Sequence, residues 1–174
     1  GTYLEGMEGD DVLVGGDSFD FAKFTREGDA LESGFTIDLA EGIATNNVND
    51  DVDTLIDIRN VEATEFDDVI IGDDAWNYLV GRGGDDEFFG GSGIDKVGYW
   101  GHAREDVEIT GVGTEEVTVQ DIAGEWGTDT LAGIEAIEFT DGVLRLDIDG
   151  AAAEVYRLYQ AAYVREPDAE GLSF

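Results

Sequence analysis

Cut every nine residues, positions 63–98 read ATEFDDVII, GDDAWNYLV, GRGGDDEFF and GGSGIDKVG. The last block fits G-G-x-G-x-D-x-U-x at every fixed position, where U is a large apolar residue. Asp68, Asn77, Asp86 and Asp95 stand at position six of the four blocks, and Ile70, Leu79, Phe88 and Val97 at position eight. Two chemistries therefore repeat with one period. Glycines, here Gly81, Gly83, Gly84, Gly90, Gly91 and Gly93, let the backbone take positive φ and turn its carbonyls outward. The carboxylate at position six completes an all-oxygen cage, a donor set that favours calcium. The x-U-x segment then runs as a short strand with its central side chain inward, so two blocks make one coil of eighteen residues and ligands eighteen apart stack. From Gly6 the chain gives GMEGDDVLV and GGDSFDFAK in the same phase, which adds Gly6, Gly9, Asp11, Gly15 and Asp20 to the candidate metal-ligating residues.

These repeats resemble those of the RTX family, the calcium-binding repeats-in-toxin of proteins exported by bacterial type I systems. The resemblance implies a mainly β fold: a right-handed parallel β-roll with calcium held between successive turns, flanked by further strands and hairpins. One site would lie between the turns holding Asp68 and Asp86, another between those holding Asn77 and Asp95. GDDAWN lacks the glycine at position four and ATEFDD lacks all of them, so the outer turns are expected to bind less well.

The composition agrees with a folded chain that needs cations. Hydrophobic content is 42% and aromatics 10%, whereas 42 Asp and Glu face 9 Lys and Arg for a net charge of −33. Two carboxylates ~4 Å apart at an effective dielectric near 20 repel by ~4 kcal/mol, so a pair such as Asp85 and Asp86 held in one turn calls for a positive partner. Nucleic acid is excluded as a natural partner, and no window is apolar for long enough to span a membrane. The chain has no cysteine, which rules out disulfides and zinc-thiolate sites and leaves calcium as the cross-link suited to an extracellular setting. It opens at Gly1 without a signal peptide, as a piece of a larger secreted or cell-surface protein would.

Beyond the repeats, FTIDLAEGIATN and VEITGVGTEEVTVQD alternate apolar and polar residues around glycine turns and read as hairpins. Asp53-Thr54-Leu55 with Ile58, Val61 and Glu62 recurs seventy-six residues later as Asp129-Thr130-Leu131 with Ile134, Ile137 and Glu138. The chain thus divides into a first array with its β flank (1–62), a second array with its flank (63–146) and a C-terminal segment (147–174). If residues 24–62 leave the roll, the eighteen-residue register resumes and Asp11 stacks beneath Asp68, and Asp20 beneath Asn77; two separate short rolls satisfy the sequence equally. In the last segment Val155, Leu158, Tyr159 and Tyr163 fall at helical spacing before Pro167, giving a short amphipathic α-helix. RLYQAAYVREPDAEGLSF resembles the opening of a helical domain of unknown function appended to secreted RTX proteins, and its apolar stripe is expected either to self-associate weakly or to stay mobile.

Other chemistries find less support. His102 is the only histidine and has neither nucleophile-elbow nor H-E-x-x-H surroundings, so it reads as a loop residue. Trp76, Tyr99, Trp100 and Trp126 offer rings for sugars, although tryptophans at strand ends usually bury themselves in a small core. The sequence therefore reads as a non-catalytic, calcium-binding module, with a carbohydrate- or surface-binding adhesin segment and an accessory module of a secreted hydrolase as alternatives.

Overall fold

The computed structural model describes residues 2–6, 9–16, 19–24, 33–48 and 51–146. In the first half, β1 (Tyr3–Glu5), β2 (Val12–Val14) and β3 (Phe21–Lys23) are three-residue strands at the nine-residue period; β4 (Phe35–Asp38), β5 (Ile43–Asn46) and β6 (Val52–Ile56) form an antiparallel meander, followed by β7 (Asn60–Glu62). The second half runs the same way. Strands β8 (Val69–Ile71), β9 (Tyr78–Val80), β10 (Glu87–Phe89) and β11 (Lys96–Gly98) are short; β12 (Val107–Thr110), β13 (Glu116–Asp121) and β14 (Thr128–Ala132) form the meander; and β15 (Ala136–Phe139) pairs with β16 (Gly142–Arg145) as a hairpin.

The strands assemble into two sheets. Sheet A has the order β1-β3-β7-β9-β11-β15-β16, and sheet B the order β12-β13-β14-β10-β8-β4-β5-β6-β2. The nonapeptide strands pair in parallel, with Phe88 beside Ile70 and Val97 beside Leu79, so the eighteen-residue coil is realised. A strand of three residues can send only its middle side chain inward. Leu13, Ala22, Val61, Ile70, Leu79, Phe88 and Val97 are all buried, and they join one core cluster that draws on both sheets. Burying Phe88 alone is worth ~1.5–3 kcal/mol.

The flank does not leave the stack. Leu13 pairs with Leu55 and Ala22 with Val61, so β6 lies on β2 and β7 on β3, while β4 carries β8. Asp11 and Asp20 consequently have Asp53 and Arg59 as their next neighbours along the stack, not Asp68 and Asn77. The reason is in the side chains: Asp53-Thr54-Leu55 presents the same polar-x-apolar triplet as Asp11-Val12-Leu13, so it continues the sheet instead of departing from it. The second meander obeys the same rule, with Leu131 of β14 on Phe88 of β10. The hairpin turn expected at Glu41-Gly42 forms, with Gly42 at φ 71° and the Glu41 amide donating to Asp38 Oδ1 at 2.9 Å. No helix among the described residues is long and apolar enough to cross a membrane. The C-terminal α-helix, its apolar stripe and the start of the appended helical domain lie outside the described residues.

Candidate metal centre

The turns entering the strands stack on one another as closely as the strands do. A Cβ on Gly84 (φ 106°) would come within 2.4 Å of the Phe66 carbonyl carbon, and one on Gly93 (φ 126°) within 2.4 Å of the Ala75 oxygen. Only glycine permits both that backbone and that approach. Position six ties each layer to the next. The Asp68 amide donates to Asp86 Oδ1 at 2.9 Å, the Asp86 amide to Asp129 Oδ1 at 2.9 Å, and on the other edge the Asn77 amide donates to Asp95 Oδ1 at 2.8 Å and the Asp95 amide to Glu135 Oε2 at 2.7 Å. Asp11 donates in the same way to Asp53 Oδ1 at 2.9 Å. Position five adds a second file, with Asp85 donating to Asp67 Oδ1 at 2.8 Å and accepting from the Thr128 amide at 2.7 Å.

These ladders consume one carboxylate oxygen each, and the fate of the other separates the sites. Asp68 is fully satisfied: Phe35 donates to Oδ1, and the amide and hydroxyl of Thr64 donate to Oδ2 at 2.8 and 2.9 Å. The Asn77 turn also closes on itself, Asn77 Oδ1 accepting from the Asp73 amide and Nδ2 donating to Asp73 Oδ1 and the Arg59 carbonyl. Asp20 accepts from Thr2 and Gly16. Asp86 and Asp95 differ: they are 1% and 0% exposed, and Oδ2 of each is buried without a hydrogen-bond partner. A buried orphan of this kind is costly unless a cation completes it.

Electrostatics point the same way. Burial, followed by the Asp129 charge, pushes the Asp86 carboxyl up to about 9. Burial likewise raises Asp129 to about 7, and Asp68 and Asp95 to about 6. Each carboxylate is disfavoured by its low-dielectric surroundings, and a divalent ion reverses that preference. Asp86 Oδ2 hangs over the first glycine of its own turn, where a Cβ on Gly81 would sit 1.9 Å from it; Asp95 Oδ2 stands in the same relation to Gly90 at 2.8 Å. Among the described residues no three His, Cys, Asp or Glu side chains converge into a ready metal cage. An ion held here would therefore be held by one or two carboxylates together with turn carbonyls, all of them hard oxygen donors of the kind calcium prefers.

Of the residues named from sequence, the structure brings Asp68 together with Asp86 and Asn77 with Asp95, and places Asp11 and Asp20 elsewhere along the stack. Positive φ occurs at Gly9, Gly84, Gly91 and Gly93. Gly6, Gly15, Gly81 and Gly90 are needed instead for close approach, to Asp53, Asp57, Asp86 and Gly133 respectively, and Gly83 lies beside Glu65. Sequence reasoning missed Asp53, Asp129 and Glu135, the residues that end the position-six ladders. For Asp53 and Asp129 the signal was present in the D-T-L recurrence, with no glycine turn before it to announce a ligand, whereas Glu135 answers to Arg59 and carried no signal. It also missed Arg82, a non-glycine residue at φ 79° whose guanidinium pairs with Glu62 and Glu65 beside the same turn.

The model of the RTX calcium-binding nonapeptide repeat family matches in four copies, over residues 3–22 and 62–97. No curated protein shows significant similarity to the chain.

Proposed function

From the premise that the chain carries RTX repeats, a family that binds calcium, we propose that it is a calcium-binding module of a larger secreted or cell-surface bacterial protein, exported by a type I system and folding outside the cell. The carrying observation is the pair of orphaned, buried Oδ2 atoms on Asp86 and Asp95, the two carboxylates of the glycine-complete turns. In this reading the coil is a right-handed β-roll. One ion is held at the turns of Asp68 and Asp86, under Asp129, and another at those of Asn77 and Asp95, under Glu135, with the turn carbonyls completing the shell. Gly6, Gly9, Asp11, Gly15 and Asp20 belong to a weaker first array, where Asp20 already has protein donors on both oxygens.

The role is structural and non-catalytic. Binding energy becomes folding energy when the site exists only in the folded chain. Extracellular modules bind at roughly 10⁻⁴ to 10⁻³ M, concentrations the cytosol does not reach, so the chain would stay exportable inside and fold on arrival. Calorimetric titration of calcium into the chelated protein, with far-ultraviolet circular dichroism in parallel, tests this. The expected result is saturable binding that brings in β structure together. A chelated protein already fully folded at low salt, with no heat of calcium binding, would reduce the acidity to a salt-adapted surface.

A further inference from the structure

Position five of the nonapeptide differs between the two edges of the stack. The turns leading into sheet B carry Asp10, Asp67 and Asp85 there, whereas those leading into sheet A carry Phe19, Trp76 and Ile94. All three of the latter are exposed, Phe19 and Trp76 by 47% and 43%. Phe19 and Trp76 come from different arrays yet stack with ring centroids 5.6 Å apart and planes 17° apart. Behind them Phe21 and Tyr78 form a small buried cluster with Val80 on the outer face of sheet A, and Trp100, 42% exposed, donates its indole N–H to the Tyr78 hydroxyl at 2.8 Å. The rings line a groove of about 310 Å³ together with Lys96 and Glu138. Trp100 also walls a second groove of about 380 Å³, lined by Glu65, Arg82, His102, Glu125 and Trp126. All three tryptophans of the chain thus flank two grooves that meet at Trp100.

Charge narrows what such a face can take. The chain has two lysines, and both are here: Lys23 pairs with Glu5 at 3.4 Å and Lys96 with Glu138 at 2.7 Å. A protein of net charge −33 therefore holds both of its lysines in ion pairs on this face, while the rest of its surface repels anionic partners. A cationic ligand would find Lys23 and Lys96 already over the Tyr3 and Tyr78 rings, at 5.8 and 5.6 Å. An uncharged ligand with C–H faces and hydroxyl edges meets neither obstacle. The electron-rich ring faces attract C–H groups, and the ion pairs Lys96–Glu138 and Arg82–Glu65 line the grooves with charged ends that can also bond hydroxyls. The first groove is apolar with a few placed polar groups and the second is mainly polar, and two grooves of this size fit sugar rings in succession. We infer that the outer face of sheet A binds an uncharged oligosaccharide laid along Trp76 and Trp100 and running towards the groove beside Trp126.

The inference goes beyond the calcium reading, and its test is run on the full chain in saturating calcium so that the two stand or fall separately. Maltohexaose, cellohexaose, mannohexaose and hexa-N-acetylchitohexaose are titrated while calorimetric heat and tryptophan fluorescence are followed. At least one should bind and shift the emission, with affinity falling tenfold or more in Trp100→Ala and in Trp76→Ala, and unchanged in Phe89→Ala on the outer face of sheet B. Circular dichroism confirms the fold of each variant; Trp76, in an exposed turn, serves where Trp100→Ala does not fold. No binding by any of the four, binding that survives both tryptophan substitutions, or a face that instead takes up phosphatidylcholine vesicles or dimerises through these rings overturns it.

Discussion

At Asp86 the ladder of position-six carboxylates is under the greatest electrostatic tension: Oδ1 accepts the Asp68 amide, its own amide serves Asp129, and Oδ2 is left alone in a buried setting. Asp86→Asn keeps the shape and removes the charge. Calcium affinity should fall by no less than the roughly tenfold that even outer-shell partners of metal ligands cost, while the calcium-free variant gains β structure because folding no longer has to bury and neutralise a carboxylate beside Asp129. Asp74→Asn, at an exposed position three, should change neither. Circular dichroism across a calcium titration of both variants distinguishes them, and coincident curves would remove Asp86 from the site. Arg82 carries a different kind of tension, since its φ of 79° is held by ion pairs to Glu62 and Glu65, and the Glu62 side chain is only 4% exposed. Arg82→Ala leaves that carboxylate buried and unpaired and should cost ~1–3 kcal/mol in calcium-saturated denaturant unfolding; a change within error would mean Glu62 finds water instead. The distinct character of the Asp86 and Asp95 turns, whose Oδ2 atoms are left without a partner, was legible in their glycine content. The satisfaction of Asp68 was not, because its donors Phe35 and Thr64 reach it only through the fold.

Turns and strands form a single repeat unit, and the nine-residue period predicts both wherever a glycine turn precedes the strand. It fails in the flanks for an instructive reason. Leu55 and Leu131 occupy the same inward position as Leu13 and Phe88, yet the chain reaches them through a meander rather than a tight glycine turn, so spacing alone does not mark them as coil strands. Tyr3-Leu4-Glu5 was likewise overlooked: it lies one block before Val12-Leu13-Val14, with too little sequence ahead of it to show a turn, yet it pairs in register with β3. Turn stacking also sets the cost of filling a glycine. Gly93→Ala meets the Ala75 oxygen at 2.4 Å as well as a φ of 126°, whereas Gly101→Ala at φ 91° has nothing within 4 Å. The second should cost about 1 kcal/mol from backbone conformation, and the first a further 1–3 kcal/mol because the neighbouring turn must move. Thermal unfolding in excess calcium compares them directly; equal shifts would show that the turns are not packed layer on layer.

The whole chain faces the conflict between its charge of −33 and a fold that draws buried carboxylates into successive layers. Monovalent salt screens the exposed charges within a Debye length but does little for Asp86, Asp95 and Asp129, which lie away from water. Magnesium holds its waters and demands a tight octahedron, so it suits a cage of turn carbonyls poorly. Calcium removal should therefore unfold the chain where sodium or magnesium at equal ionic strength does not sustain it. Both arrays contribute strands to the same two sheets and side chains to one core cluster, with β4, β5 and β6 of the first flank between β8 and β2 in sheet B and β7 between β3 and β9 in sheet A. On the proposed sites, loss of calcium from Asp86 and Asp95 would strip support from β8 to β11, and β4 and β7 would then lose the partners that cover them. Unfolding should accordingly be a single cooperative event. Hydrogen exchange at a series of buffered calcium concentrations reads this residue by residue: the amides of Leu55 and Val61 should lose protection at the same calcium level as those of Ile70 and Leu79. If the first pair opens at a distinctly different calcium concentration, the arrays fold as independent units and the shared sheets do not couple them.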